Sequence, residues 1–240
     1  MAHKSYFIWK NQDCRSMGVL LQGPVPIVRP EERVEHVEIP GRSGDLTETE
    51  GADIYNSYIQ TATILVKGWA RVREVFKWLR GADYVTFSGE PDRKQPARII
   101  GAVTLSKHSY NSDWWVGEVQ FYCQPLKQLL HPQTVTVSSS GTSVMNTGDV
   151  ESRPKITLTT SATSATVAAG GKSLTVTGLT SGKTYTIDSE TMEVALTEGG
   201  TTTLMTANST GDFPVLAPGA NSVTGSGWST LVIDRRERFL

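Results

Sequence analysis

The sequence predicts a mainly β protein in two parts, and three observations carry that reading. Apolar residues alternate with period two through most segments, helical periodicity is confined to one segment, and the composition shifts near residue 130. A chain of 240 residues can bury one large core or two ordinary ones, and length favours two. With 38% hydrophobic and 20% charged residues it belongs among globular proteins rather than disordered or fibrous ones.

Taken in order, "YIQTATILVKG" sets Tyr58, Gln60, Ala62, Ile64 and Val66 against Ile59, Thr61, Thr63 and Leu65, the alternation of a strand with one buried face. "WARVREVFKWLRGADY" departs from it. Val72, Val75, Phe76 and Leu79 recur at i, i+3, i+4 and i+7, with Arg71, Arg73, Glu74 and Lys77 on the other face, which predicts one amphipathic helix of about three turns closed by Gly81. "DYVTFSGEPDRKQPARIIGAV" reads as strand, polar loop, strand. "WWVGEVQFYCQP" lines up Trp115, Gly117, Val119, Phe121 and Cys123 on one side. Trp114 and Trp115, as neighbours in a strand, point to opposite faces, one to the core and one outward as an interface anchor.

Past residue 130, "HPQTVTVSSSGTSVMNTGDVESRP" is poor in large apolar residues and rich in Ser, Thr and Gly, as a connection would be. Thr-rich segments follow: "KITLTT", "SLTVTGL", "TYTID", "MEVAL" and "WSTLVID", short alternating strands between turns, the pattern of a β-sandwich or jelly roll. The parts divide as residues 1–132 and 133–240.

Several function classes are disfavoured. The N-terminus lacks the apolar run of a signal peptide and no segment reaches the length of a membrane span, so synthesis and folding in a cytoplasm are expected, with no membrane partner. Net charge is −1, which offers no field for specific nucleic-acid binding. His3, His36, His108 and His131 are scattered and Cys14 and Cys123 lie far apart, so neither a metal nor any other cofactor is expected. No catalytic site is expected either.

"IPGRSGDL" is the most site-like stretch, an Arg between glycines. A phosphate cradle needs such a turn to lead into a helix, and here a polar, acidic segment and a strand follow. Pro40 and Gly41 suit the centre of a type II turn, leaving Arg42 free to pair across a subunit contact. Asp188 and Glu190 in "IDSETMEV" resemble a glycosidase pair in type, yet their place between two short strands suits turn chemistry. Acidic residues crowd "RPEERVEHVE" and "LTETEGAD", including Glu31, Glu32, Glu35, Glu38, Glu48, Glu50 and Asp53.

The succession "IPGRSGDL", "FKWLRG", "VTFSGEPDRKQPARI", "EVQFYCQPL", "NTGDVESRPKITL", "YTIDSETMEV", "GDFPVLAPGANSVTGSG" and "LVIDRRERFL" resembles the distal tail proteins of long-tailed, flexible-tail bacteriophages over nearly the whole chain. The resemblance implies a non-enzymatic virion protein of the tail tip. Its N-terminal domain would be a β-sandwich like that of tail-tube proteins, with one α-helix, and would form a homo-hexameric ring. Its C-terminal domain would be a galectin-like β-sandwich. Such a ring joins the tail tube protein to a tail-associated hub or fibre protein, and DNA crosses its lumen. On that reading Arg42, Trp114 and Trp115 are interface residues, and Glu31, Glu32, Glu35 and Glu38 line the lumen and repel phosphate. A carbohydrate-binding or receptor-binding module of the tail tip is the alternative, and a glycosidase using Asp188 or Glu190 is a third.

Overall fold

The structure, a computed structural model, describes residues 5–49, 51 and 53–240; His3 and Glu50 lie outside the described residues. The chain divides into two compact units, residues 1–130 with Leu240, and residues 131–239.

The first unit contains β1 (Phe7–Trp9), β2 (Gln12–Asp13), β3 (Val19–Leu21), β4 (Val34–Val37), β5 (Leu46–Thr49), β6 (Tyr58–Lys67), α1 (Trp69–Trp78), β7 (Ala82–Phe87), β8 (Arg93–Lys107), β9 (Trp114–Cys123) and β10 (Lys127–Leu129). One antiparallel sheet runs β2-β1-β7-β8-β9-β6-β3, and β10 pairs with β8. Strands from both ends of that order, β1 and β3, bury residues in the same core as α1, so the sandwich-like shape comes from one sheet curled over on itself. The expected alternation holds on β6, where Gln60, Ala62, Ile64 and Val66 are buried, and on β9, where Val119, Phe121 and Cys123 are. Gly117 is required by contact: a Cβ there would run into the Thr104 carbonyl oxygen, beside the irregularity where β8 shifts register between Ile100 and Thr104.

The core is aromatic. Phe7 stacks on Trp78 with ring centres 5.6 Å apart, and Phe7, Trp9 and Phe87 each meet Phe121 edge-on. That packing corrects one sequence expectation. Trp78 takes the inward position and donates its indole N–H to the Trp9 carbonyl at 3.3 Å, while Phe76 is 37% exposed. Trp78 is held inward by both its stacking on Phe7 and its hydrogen bond to Trp9. Cys14 and Cys123 are buried and free; burial pushes the Cys14 thiol up and the Cys123 thiol up to about 12.

The second unit contains β11 (Thr134–Val137), β12 (Thr142–Asn146), β13 (Lys155–Thr160), β14 (Ser164–Ala169), β15 (Lys172–Thr177), β16 (Thr184–Asp188), β17 (Glu193–Glu198), β18 (Thr201–Leu204), β19 (Ser209–Gly211), β20 (Gly219–Ser226) and β21 (Trp228–Asp234). They form two antiparallel sheets, β11-β21-β13-β16-β17-β18 and β12-β20-β14-β15-β19. Leu158, Ile187 and Leu231 from one sheet share a core with Val167, Leu174 and Val223 from the other, which makes this a β-sandwich. Threonines recur because they pair across strands: Thr166 with Thr175 at 2.9 Å and Thr197 with Thr202 at 3.2 Å.

Candidate functional site

The segment "IPGRSGDL" forms the end of a projecting arm. Its stem is closed by a bridge between Glu32 and Tyr55 and by backbone bonds from Arg33 to Ile54 and from Asn56 to Glu31, each 2.8 Å. Beyond the stem, β4 and β5 pair only with each other, in the register Val34–Thr49, Glu35–Glu48, His36–Thr47 and Val37–Leu46. At the tip the Arg42 N–H donates to the Ile39 carbonyl at 3.1 Å across Pro40 and Gly41, and Gly41 has φ 84°. That is the type II turn, in which Pro presets one central residue and Gly supplies the left-handed one. No helix follows, so the loop presents no row of helical amides to an anion. Arg42 is exposed at the end of the arm.

Two features make the arm unstable by itself. A lone two-stranded ribbon is at best marginally stable in water. Glu35 and Glu48 also stand directly opposite on one face, where like charges repel, and beside them on the same face Val37 and Leu46 are 36% and 38% exposed. Of the acidic residues singled out from the sequence, Glu31 and Glu32 sit at the stem and Glu35 and Glu38 on the arm itself.

The tryptophan pair lies at the far end of β9, where Trp114 pairs with Lys67, and Trp115 with Val66 and Lys107. Both residues are half-buried, and Trp115 is the one packed against the core. Trp115 packs on the core and meets Trp69 at 5.4 Å, while Lys107 and Lys67 lie 5.9 Å over Trp115 and Trp114. Trp69, not singled out from the sequence, begins α1 and is 57% exposed, with its ring against Trp115. On the outer face of the sheet, Tyr84, Tyr122 and Ile59 are 41%, 40% and 54% exposed. Tyr84 and Tyr122 border a hollow of about 460 Å³ together with Pro96 and Arg98.

In the second unit, Asp188 is held by both oxygens. Arg236 donates to them at 2.7 and 2.8 Å, Arg238 donates to Glu190 at 2.8 Å, and the Glu190 N–H returns to Asp188 Oδ1 at 3.0 Å. Burial pushes the Asp188 carboxyl up, but the Arg236 hydrogen bonds, the Glu190 amide and the Arg236 charge together outweigh it and hold the group below the usual carboxylate range. A carboxylate locked in this way is a structural ion pair; it neither carries a proton to donate near neutral pH nor has a free oxygen to attack with. Nearby, the buried Glu237 accepts from the Thr147 N–H at 2.8 Å and from Arg235 at 2.9 Å, a network that no local pattern in the sequence announced.

Among the described residues no group of three or more His, Cys, Asp or Glu is placed to hold a metal ion, and no helix is long and apolar enough to cross a membrane.

Known structures share this fold. The chain is similar to the crystal structure of SPP1 Dit (gp 19.1), a paradigm of the hub adsorption apparatus in phages infecting Gram-positive bacteria, with a TM-score of 0.80 and 21% identity over 98% of this chain and 99% of that one. A chain of the phage P2 baseplate in its activated conformation with Ca matches with a TM-score of 0.54 and 7% identity, covering 100% of this chain and 99% of that one. No family model matches the sequence, and no curated protein matches it. The fold is therefore that of SPP1 Dit.

Proposed function

We propose that this chain is a structural, non-enzymatic component of the distal tail of a long-tailed, flexible-tail bacteriophage, assembled in the host cytoplasm and resident in the virion. Residues 1–132 form a homo-hexameric ring between the tail tube protein and a tail-associated hub or fibre protein. Residues 133–240 form a galectin-like sandwich at its periphery, and DNA crosses the lumen without specific binding.

The observation that carries this reading is the full-length agreement of both units with SPP1 Dit, whose solved structure belongs to a hub adsorption apparatus. The unpartnered arm supports it independently. A cyclic ring needs two different complementary patches on each subunit, and a projecting ribbon with exposed apolar residues is suited to be one of them. Arg42 at the tip and the Trp114–Trp115 end of β9 are the proposed contact points. Glu31, Glu32, Glu35 and Glu38 are the proposed source of a lumen that repels phosphate, the inverse of a basic DNA-binding groove.

Negative-stain microscopy over a range of concentrations, with and without the tail tube protein of the same phage, tests the reading. Closed rings with six-fold symmetry are expected. Single particles under every condition, with no co-assembly, would overturn it.

A further inference from the structure

The exposed face of α1 is an unfilled counterpart of the arm. Along residues 69–80 the chain carries four basic residues, Arg71, Arg73, Lys77 and Arg80, against one acid, Glu74, a net charge of +3. All four are exposed and none has an ion-pair partner among the described residues. Trp69, Arg73, Phe76 and Lys77 fall at i, i+4, i+7 and i+8, which places them along one stripe of the helix, and Arg80 follows just past its end. Trp69 and Phe76 are 57% and 37% exposed there among positive charges, Trp69 with part of its ring against Trp115.

The arm has the opposite chemistry at the same scale. Residues 34–49 carry Glu35, Glu38, Asp45 and Glu48 against Arg42, a net charge of −3, and again no ion-pair partner occurs among the described residues. Its Glu35–Glu48 pair and its Val37–Leu46 pair lie side by side on one face. Acids beside aliphatics on the ribbon thus match bases beside aromatics on the helix.

We infer that the arm of one copy docks by its Glu35–Glu48–Val37–Leu46 face onto the Trp69–Arg73–Phe76–Lys77 face of α1 in the next copy. This deepens the ring reading above and rests on it. The arm stands clear of its stem: the five steps from Val34 to Ile39, where the turn begins, span about 17 Å when extended. The contact is heterologous, since arm and helix are different surfaces, and so it propagates from copy to copy until it closes. Docking sets Glu35 and Glu48 against guanidinium and ammonium groups, which relieves their mutual repulsion. Arg or Lys above Trp69 or Phe76 adds cation–π attraction, and burial of Val37 and Leu46 adds apolar area.

The test is a charge swap in the full-length chain. One variant carries E35K and E48K, the other R73E and K77E; all four positions are exposed, and circular dichroism verifies that the fold is kept. Each variant alone should associate about tenfold or more weakly than the wild type, because like charges now meet. An equimolar mixture should recover association, because every reversed arm meets a reversed helix or an unchanged arm an unchanged helix, in alternation. A photo-crosslinker at position 46 of isotope-labelled chain should also capture peptides from residues 69–80 of unlabelled chain. Variants that assemble like the wild type, a mixture no better than its components, or crosslinks to any other surface would overturn the inference. Rings still seen in those cases would leave the ring reading standing. No crosslink between copies and no rings from the wild type would overturn both.

Discussion

Asp188 keeps its charge because Arg236 grips both oxygens, and that makes the pair a latch between the β16–β17 turn and the segment after β21. Its folded pKa lies below its ordinary value of 3.8, so the stabilisation is fully present above that value and is lost as pH falls through the folded pKa. Asp188→Asn should cost about 1–3 kcal/mol at neutral pH and flatten the loss of stability below pH about 4, as read from denaturant melts across that range. A variant whose acid profile matches the wild type would show that the pair contributes nothing. Phe76 is the other instructive residue. Helical spacing counts it with the buried set, but the rotation of α1 that stacks Trp78 on Phe7 carries Phe76 outward, where it becomes an aromatic ring available to a partner.

At the scale of elements, most strands were legible because each announces itself locally. Alternation on β6 and β9, the Pro-Gly turn at the arm's tip and the lone amphipathic helix are all properties of consecutive residues. The arm was legible only in part. Its turn followed from Pro40 and Gly41, but its isolation did not, since pairing only with itself depends on where the main sheet ends. A ribbon without a third strand or a packed face opens easily, so the amides of residues 34–49 should exchange with deuterium far faster than those of β6 and β9 in the free chain. On assembly they should become protected while the β6 and β9 amides change little. Arm amides already as slow as those of β6 in the free chain would mean the ribbon is stable without a partner.

Across the whole molecule the formal charge is only −1, so no global repulsion opposes self-association. Control passes to local segregation, an acidic arm and a basic helix within the same unit. If those surfaces meet between copies, association should weaken as salt rises from about 0.05 to 0.5 M, measured by sedimentation, because exposed charges are screened over shorter distances. Tighter association at high salt would instead indicate a contact held by apolar burial. The second unit differs in that acids and bases pair within it: Arg235, Arg236 and Arg238 hold Glu237, Asp188 and Glu190, and Lys183 meets Glu198 at the surface.

By itself the sequence determined what repeats over a few residues: the β character, the single helix, the position of the turns, the change of composition near residue 130, and the ordered series of segments that resembles distal tail proteins. Tertiary structure decided what depends on distant residues meeting. Arg236 reaches Asp188 across 48 positions, Trp78 displaces Phe76 from the core, and β4 and β5 are left without a third strand. The reason is physical: periodicity is set by backbone geometry one turn or one pleat at a time, whereas ion pairing, aromatic packing and the end of a sheet are settled only when the whole chain competes for the same space.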